Sequence, residues 1–310
     1  MRNKSKCIRF VIIVVIGVLP LFSAGQDINF SQFYPVKNYY NPGFVASDMC
    51  TDIFFHTKYE AAGFDGGFTT VTASYSSFFP ELNLGLSVYL QNDFSPQNIF
   101  TDIYSTSALV YRINLSKFKI AAWLQPEFYY WHVNSANIVS GSMIDALSGQ
   151  VVNSLNTGFS QSQYGLSLNF GYLLFGRHFF AGNSFKNYAR LENLFTPEKA
   201  VFTVAGFDAD IDRDKTMEFY LLDKNLSENQ LGFLFHFNNV FAGTNAGFYY
   251  YSLNKIGFDF GVKLNSTLFS FNYTLLINKI WVSIYEISID FRFKCKKAGK
   301  RAIICPAYQL

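Results

Sequence analysis

Tyr285-Glu286-Ile287-Ser288-Ile289-Asp290-Phe291-Arg292-Phe293 decides the fold. Its odd positions are apolar or aromatic and its even positions are polar or charged. A period of two puts one set on each face of a β-strand. Such a strand suits a globular sandwich, and equally a barrel in lipid with its apolar side outward. What separates the two is whether the rest of the chain repeats the pattern at membrane-type spacing.

It does. Tyr164, Leu166, Leu168, Phe170, Tyr172 and Leu174 alternate with small or polar residues. So do Leu82 to Leu90, Leu231 to Phe237, Ile256 to Leu264 and Phe269 to Leu275. The opposite positions hold Gly, Ser, Asn, Asp, Lys and His, which suits a wet or plugged lumen better than a dry core. The pattern predicts strands at 53–58, 67–76, 82–91, 101–113, 117–132, 163–175, 177–186, 201–205, 217–222, 230–238, 240–251, 255–264, 267–276 and 283–293. The expected fold is therefore all-β: a transmembrane antiparallel β-barrel of about 14 strands, with twelve to sixteen compatible with the weaker segments at 53–58, 201–205 and 217–222.

Composition agrees. The chain holds 36 Phe and 20 Tyr, and only 15% of its residues are charged. A soluble domain carries about 25%. No stretch after the leader reaches the ~18 apolar residues of a spanning helix. Residues 1–25 read as a secretory signal peptide: Arg2, Lys4, Lys6 and Arg9 precede an apolar run from Phe10 to Leu19, with small residues Ser23-Ala24-Gly25 at the cleavage site. The whole chain is +3; without the leader's four basic residues it holds 21 basic against 22 acidic, a net −1. A near-neutral mature chain offers no basic field for nucleic acid. Residues 26–48 are expected to form an N-terminal extension packed inside or under the barrel, residues 49–293 the barrel, and residues 294–310 a periplasmic tail.

Connections offer an independent check, because bacterial barrels have short periplasmic turns and longer external loops. Connections after even strands are mostly short and those after odd strands mostly longer. The exceptions are Gly206 to Thr216, which is long on the expected periplasmic side, and Ser252 to Asn254, which is short for an external loop. Aromatics near segment ends, such as Phe78-Phe79 and Tyr249 to Tyr251, read as interfacial girdles.

Chemistry-bearing residues are sparse. His56, His132, His178 and His236 have no zinc-site or nucleophile-activating spacing. No Gly-x-Ser-x-Gly or phosphate loop is present. No catalytic residue and no cofactor is expected. Asp208, Asp210, Asp212 and Asp214 alternate like the start of a calcium loop, but Arg213 replaces the turn glycine and Phe219 the bidentate Glu. They remain a weak calcium candidate, with a solvated acidic loop or partner contact the better reading. Beyond the leader there are three cysteines: Cys50, Cys295 and Cys305. An oxidising compartment allows a Cys295–Cys305 bridge, with Cys50 free or pairing with one of them. Lys294, Lys296, Lys297, Lys300 and Arg301 make the tail basic and a candidate docking peptide for a periplasmic partner.

Two stretches resemble the PorP/SprF family of type IX secretion system outer-membrane proteins. The N-terminal one is Gln26-Asp27-Ile28-Asn29-Phe30-Ser31-Gln32-Phe33, followed by Tyr40-Asn41-Pro42-Gly43. The C-terminal one is Tyr285 to Phe293, followed by Cys295 and Cys305-Pro306. Phe179-Phe180-Ala181-Gly182 resembles a mid-chain strand of the family. The chain departs from the family pattern at Ile28 (Pro) and Tyr285 (His), and around Lys58 to Gly63. The resemblance implies a non-enzymatic barrel in the outer membrane of a Gram-negative bacterium, supporting export or surface anchoring of proteins such as gliding adhesins. It implies the translocon, periplasmic ring lipoproteins and substrates bearing a C-terminal sorting domain as partners, besides outer-membrane lipids. The rival reading is a passive channel or hydrophobic-solute transporter. In the opening stretch, Ile289→Arg is expected to damage a lipid-facing position, and Ser288→Arg to be tolerated in the lumen.

Overall fold

The computed structural model describes residues 30–47, 50–61, 67–95, 99–134, 160–190, 199–212, 215–225, 228–237, 243–251, 255–276 and 283–293. Fourteen strands close into one antiparallel barrel in which each strand pairs with its sequence neighbours. They are β1 (Thr51–Ala61), β2 (Phe68–Phe79), β3 (Leu84–Phe94), β4 (Phe100–Asn114), β5 (Lys119–Asn134), β6 (Ser160–Phe175), β7 (Phe179–Arg190), β8 (Ala200–Asp212), β9 (Lys215–Lys224), β10 (Glu228–Phe237), β11 (Thr244–Tyr251), β12 (Lys255–Leu264), β13 (Thr267–Leu276) and β14 (Ser283–Phe293). The opening stretch lies in β14, which closes the ring against β1 in a register running from Thr51–Phe293 to Ala61–Ser283. No helix among the described residues is long and apolar enough to cross a membrane.

Alternation orients every wall. On β14, Tyr285, Ile287 and Phe291 are exposed, while Ile284, Glu286 and Ser288 are buried. Leu86, Val88 and Leu90, then Tyr164, Leu166 and Phe170, and Leu231, Phe233 and Phe235 continue the exposed apolar surface. An outward belt of that composition fits hydrocarbon. Even strand number returns both barrel ends to one side, termed here the proximal end. Asn83 and Asn265 take left-handed conformations, with φ 53° and 54°, in two proximal turns. Asn tolerates that region better than other residues with a Cβ.

Two boundaries differ from the sequence reading. β8 runs to Asp212 and β9 starts at Lys215, so the long proximal loop expected at Gly206 to Thr216 is a two-strand hairpin connected by residues 213–214. Asp208, Asp210 and Asp212 alternate because they sit in β8, where Asp208 is buried. The connection from β9 to β10 spans residues 225–227, shorter than the distal loop expected from Asp223 to Asn229, while the turn expected at Asn239 lies outside the described residues. Strands β4, β5 and β6 contain 15, 16 and 16 residues. About 9–11 suffice to cross a bilayer, so this wall is long enough to project beyond it.

Candidate functional site: the occupied barrel interior

The barrel encloses its own N-terminal segment. Phe30 to Ala46 contains the short helix α1 (Lys37–Tyr40) and a 3₁₀ turn (Pro42–Ala46). Phe30, Gln32, Tyr40, Asn41, Phe44 and Ala46 are all fully buried. Phe30, Tyr40, Phe44 and Ala46 join the inward side chains Phe54, Phe78, Val110, Ala121, Trp123, Leu173, Phe180, Phe202 and Tyr220 in one apolar cluster. Phe33 lies at its centre, stacked on Tyr220 at 4.7 Å and on Phe180 at 6.1 Å between ring centroids. Burying so many aromatic rings is the main attraction holding the segment.

Polar contacts fix its position at both ends. Ser31 and Gln32 donate their backbone N–H groups to the two Glu286 carboxylate oxygens, at 2.7 and 3.0 Å. His56 on β1 pairs with the same carboxylate at 3.3 Å. The Gln32 amide donates to Asp259 on β12 at 2.9 Å and accepts from Ser288 at 3.2 Å. Gln230 on β10 donates to the Ser31 carbonyl at 2.8 Å. Charge-assisted bonds to a buried carboxylate are the stronger kind, and here they hold bare backbone that would otherwise be unsatisfied inside the barrel.

The other end meets the opposite wall. Asn41 accepts from the Trp123 indole N–H and from Gly43 N–H, both at 2.9 Å, and donates to the Tyr172 carbonyl at 3.0 Å. Pro42 opens the 3₁₀ turn, where it has no bond to lose. A Cβ on Gly43 would stand 2.6 Å from Leu173 Cβ, so only glycine lets the backbone approach that closely. Arg112 donates to the Ala46 carbonyl at 3.2 Å and lies over the Phe78 ring. The Lys186 ammonium sits 3.5 Å from the centre of the Tyr39 ring. Tyr40, on α1, closes back on Phe30, whose N–H and carbonyl it binds at 3.0 Å each.

The two terminal stretches of sequence thus meet in space. Alternation puts Glu286 and Ser288 on the polar face of β14, and both are buried inside the barrel. Their contact with Ser31 and Gln32 is 255 and 256 residues away along the chain and has no signal in local pattern. Asp259, Gln230, Trp123 and Asn41 have roles that alternation alone does not reveal. Ser288 corrects one expectation: it faces a packed peptide, not open lumen, so Arg has no room there.

Two of the four carboxylates of the acidic stretch have described side chains, and each has a hydrogen-bond partner. Asp208 pairs with His178 at 3.1 Å, and Asp210 accepts from Thr216 at 3.4 Å. The Asp212 side chain and Asp214 lie outside what is described. Among the described residues, no three His, Cys, Asp or Glu side chains are grouped to hold a metal. His132 bonds Ser162 at 2.9 Å. Cys50 is disulfide-bonded, so it is not free. Its partner, the proposed Cys295–Cys305 pair and the basic residues Lys294, Lys296, Lys297, Lys300 and Arg301 fall outside the described residues.

The fold and interior define a class: a closed, transmembrane, 14-stranded antiparallel barrel that buries an N-terminal peptide. Residues 22–291 match the family of type IX secretion system membrane proteins PorP/SprF. The chain belongs to that family. Among solved structures, Acinetobacter baumannii outer membrane protein Omp33 aligns at 8% identity and TM-score 0.44, covering 79% of this chain and 100% of that one. A mutant of the TodX monoaromatic hydrocarbon channel aligns at 7% and 0.45, covering 78% and 88%. A mutant Rhodopseudomonas blastica porin aligns at 8% and 0.32, covering 79% and 99%. No curated protein matches the chain.

Proposed function

We propose that this membrane component of the type IX secretion system is a non-enzymatic adaptor in the outer membrane rather than a pore. The observation that carries this reading is the interior: residues 30–47 bind opposite walls of the barrel, and all but the half-buried Pro35, Asn38 and Tyr39 are buried. A transport barrel needs a path for solute, whereas an adaptor needs only a rigid platform. The closed ring supplies one, with the proximal turns on the periplasmic side. On this reading the barrel supports export or surface anchoring of secreted proteins, gliding adhesins among them. Its partners are the translocon, the periplasmic ring lipoproteins and substrates with a C-terminal sorting domain. The basic tail, with Lys294, Lys296, Lys297, Lys300 and Arg301, docks the periplasmic partners.

Deleting residues 294–310 tests the docking role, provided the barrel is first shown to reach the membrane at wild-type level. The expected outcome is loss of periplasmic components from pull-downs and reduced release of sorting-domain cargo. Unchanged pull-downs and secretion contradict tail docking. If removing the entire chain leaves secretion intact, the adaptor role itself is wrong.

A further inference from the structure

The carboxylate of Glu286 occupies an unusual junction. It lies on β14, whose pairing with β1 is the last needed to close the barrel in sequence order. Its Oε2 reaches across that seam to His56 on β1 at 3.3 Å. The same two oxygens accept the N–H groups of Ser31 and Gln32. All four residues are buried to 2% exposure or less. Ser288, two positions along β14, binds the Gln32 side chain, and Phe30 lies edge-on to the His56 ring at 5.0 Å. A buried carboxylate stripped of water needs its hydrogen bonds supplied by protein. Of its three hydrogen bonds, one comes from β1 and two from the N-terminal segment. Without the segment, Glu286 would lose two of its three hydrogen-bond donors at the seam.

We propose that Glu286 couples seating of the N-terminal segment to closure of the barrel, so that the β1–β14 seam is fastened only when Ser31 and Gln32 are in place. The segment is then a built-in brace of the seam and not a removable stopper. This holds whatever the barrel's role in secretion. The geometry also explains why one polar residue, in a strand otherwise readable as generic barrel wall, has partners on both β1 and the N-terminal segment.

A double-mutant cycle on the full-length protein in detergent tests it. Ser31→Pro removes one of the two backbone N–H groups donated to Glu286 and changes no strand residue. Glu286→Ala removes the acceptor, and Glu286→Gln replaces it if the alanine variant does not assemble. Hydrogen exchange is read separately for peptides covering residues 51–61, 283–293 and, as reference, 119–134. Each single variant is expected to speed exchange in the two seam peptides roughly tenfold or more, as loss of a charged hydrogen bond implies. The double variant is expected to be no faster than the faster single, because both remove one coupled unit. Effects that multiply in the double variant, or a Ser31→Pro seam that exchanges at the wild-type rate, overturn the coupling.

Discussion

At the residue scale, the two faces of β14 differ in what they touch. Ile289 faces lipid by alternation, between the exposed Ile287 and Phe291. Ile289→Arg places a charge in hydrocarbon and should cost about 2–4 kcal/mol near mid-strand. Ser288 is 2% exposed and bonded to Gln32. Ser288→Arg overpacks a filled interior and buries a charge, so it should damage assembly as severely as Ile289→Arg. The measurement is the fraction of heat-modifiable, closed barrel recovered from membranes. If Ser288→Arg assembles at the wild-type level, the interior next to β14 is open and the contact with Gln32 is absent.

At the scale of the element, the N-terminal segment is held by aromatic packing as well as by Glu286. Phe33 is 1% exposed and stacks or meets edge-on the rings of Tyr34, Tyr40, Phe44, Phe180 and Tyr220. Phe33→Ala should lower stability by about 3–5 kcal/mol, seen as a shift in the urea midpoint of the folded barrel. A shift of less than about 1 kcal/mol would mean the cluster relaxes around the gap or does not depend on the segment. The strands show which signals sequence carries at this scale. β6 and β12 were legible because apolar side chains recur at every second position against Gly, Ser or Asp. β8 was cut short at Ala205 because Asp208 and Asp210, inward on an occupied barrel, look like loop carboxylates when the interior is unknown. The segment itself was placeable only as inside or under the barrel, since Phe30, Phe33, Tyr40 and Phe44 follow neither a strand nor a long-helix period. Their order comes from walls distant in sequence. Of the site, Glu286 and Ser288 were legible as inward; Asp259, Gln230, Trp123 and Asn41 became partners only through closure of the ring.

At the scale of the molecule, the resemblance at the two chain termini acquires a physical reason. Ser31 and Gln32 supply donors and Glu286 and Ser288 answer them, while Asn41, Pro42 and Gly43 fit the far wall at Trp123, Tyr172 and Leu173. Each terminal stretch makes sense only with the wall it meets. The consequence is a barrel whose outside is built for lipid and whose inside is committed to its own chain. Conductance of the full-length protein in planar bilayers, with insertion verified by protease protection, tests that most directly. An occupied interior predicts inserted barrels with no steady open conductance. A large, steady conductance from the intact chain would contradict it and return the molecule to the passive-channel reading.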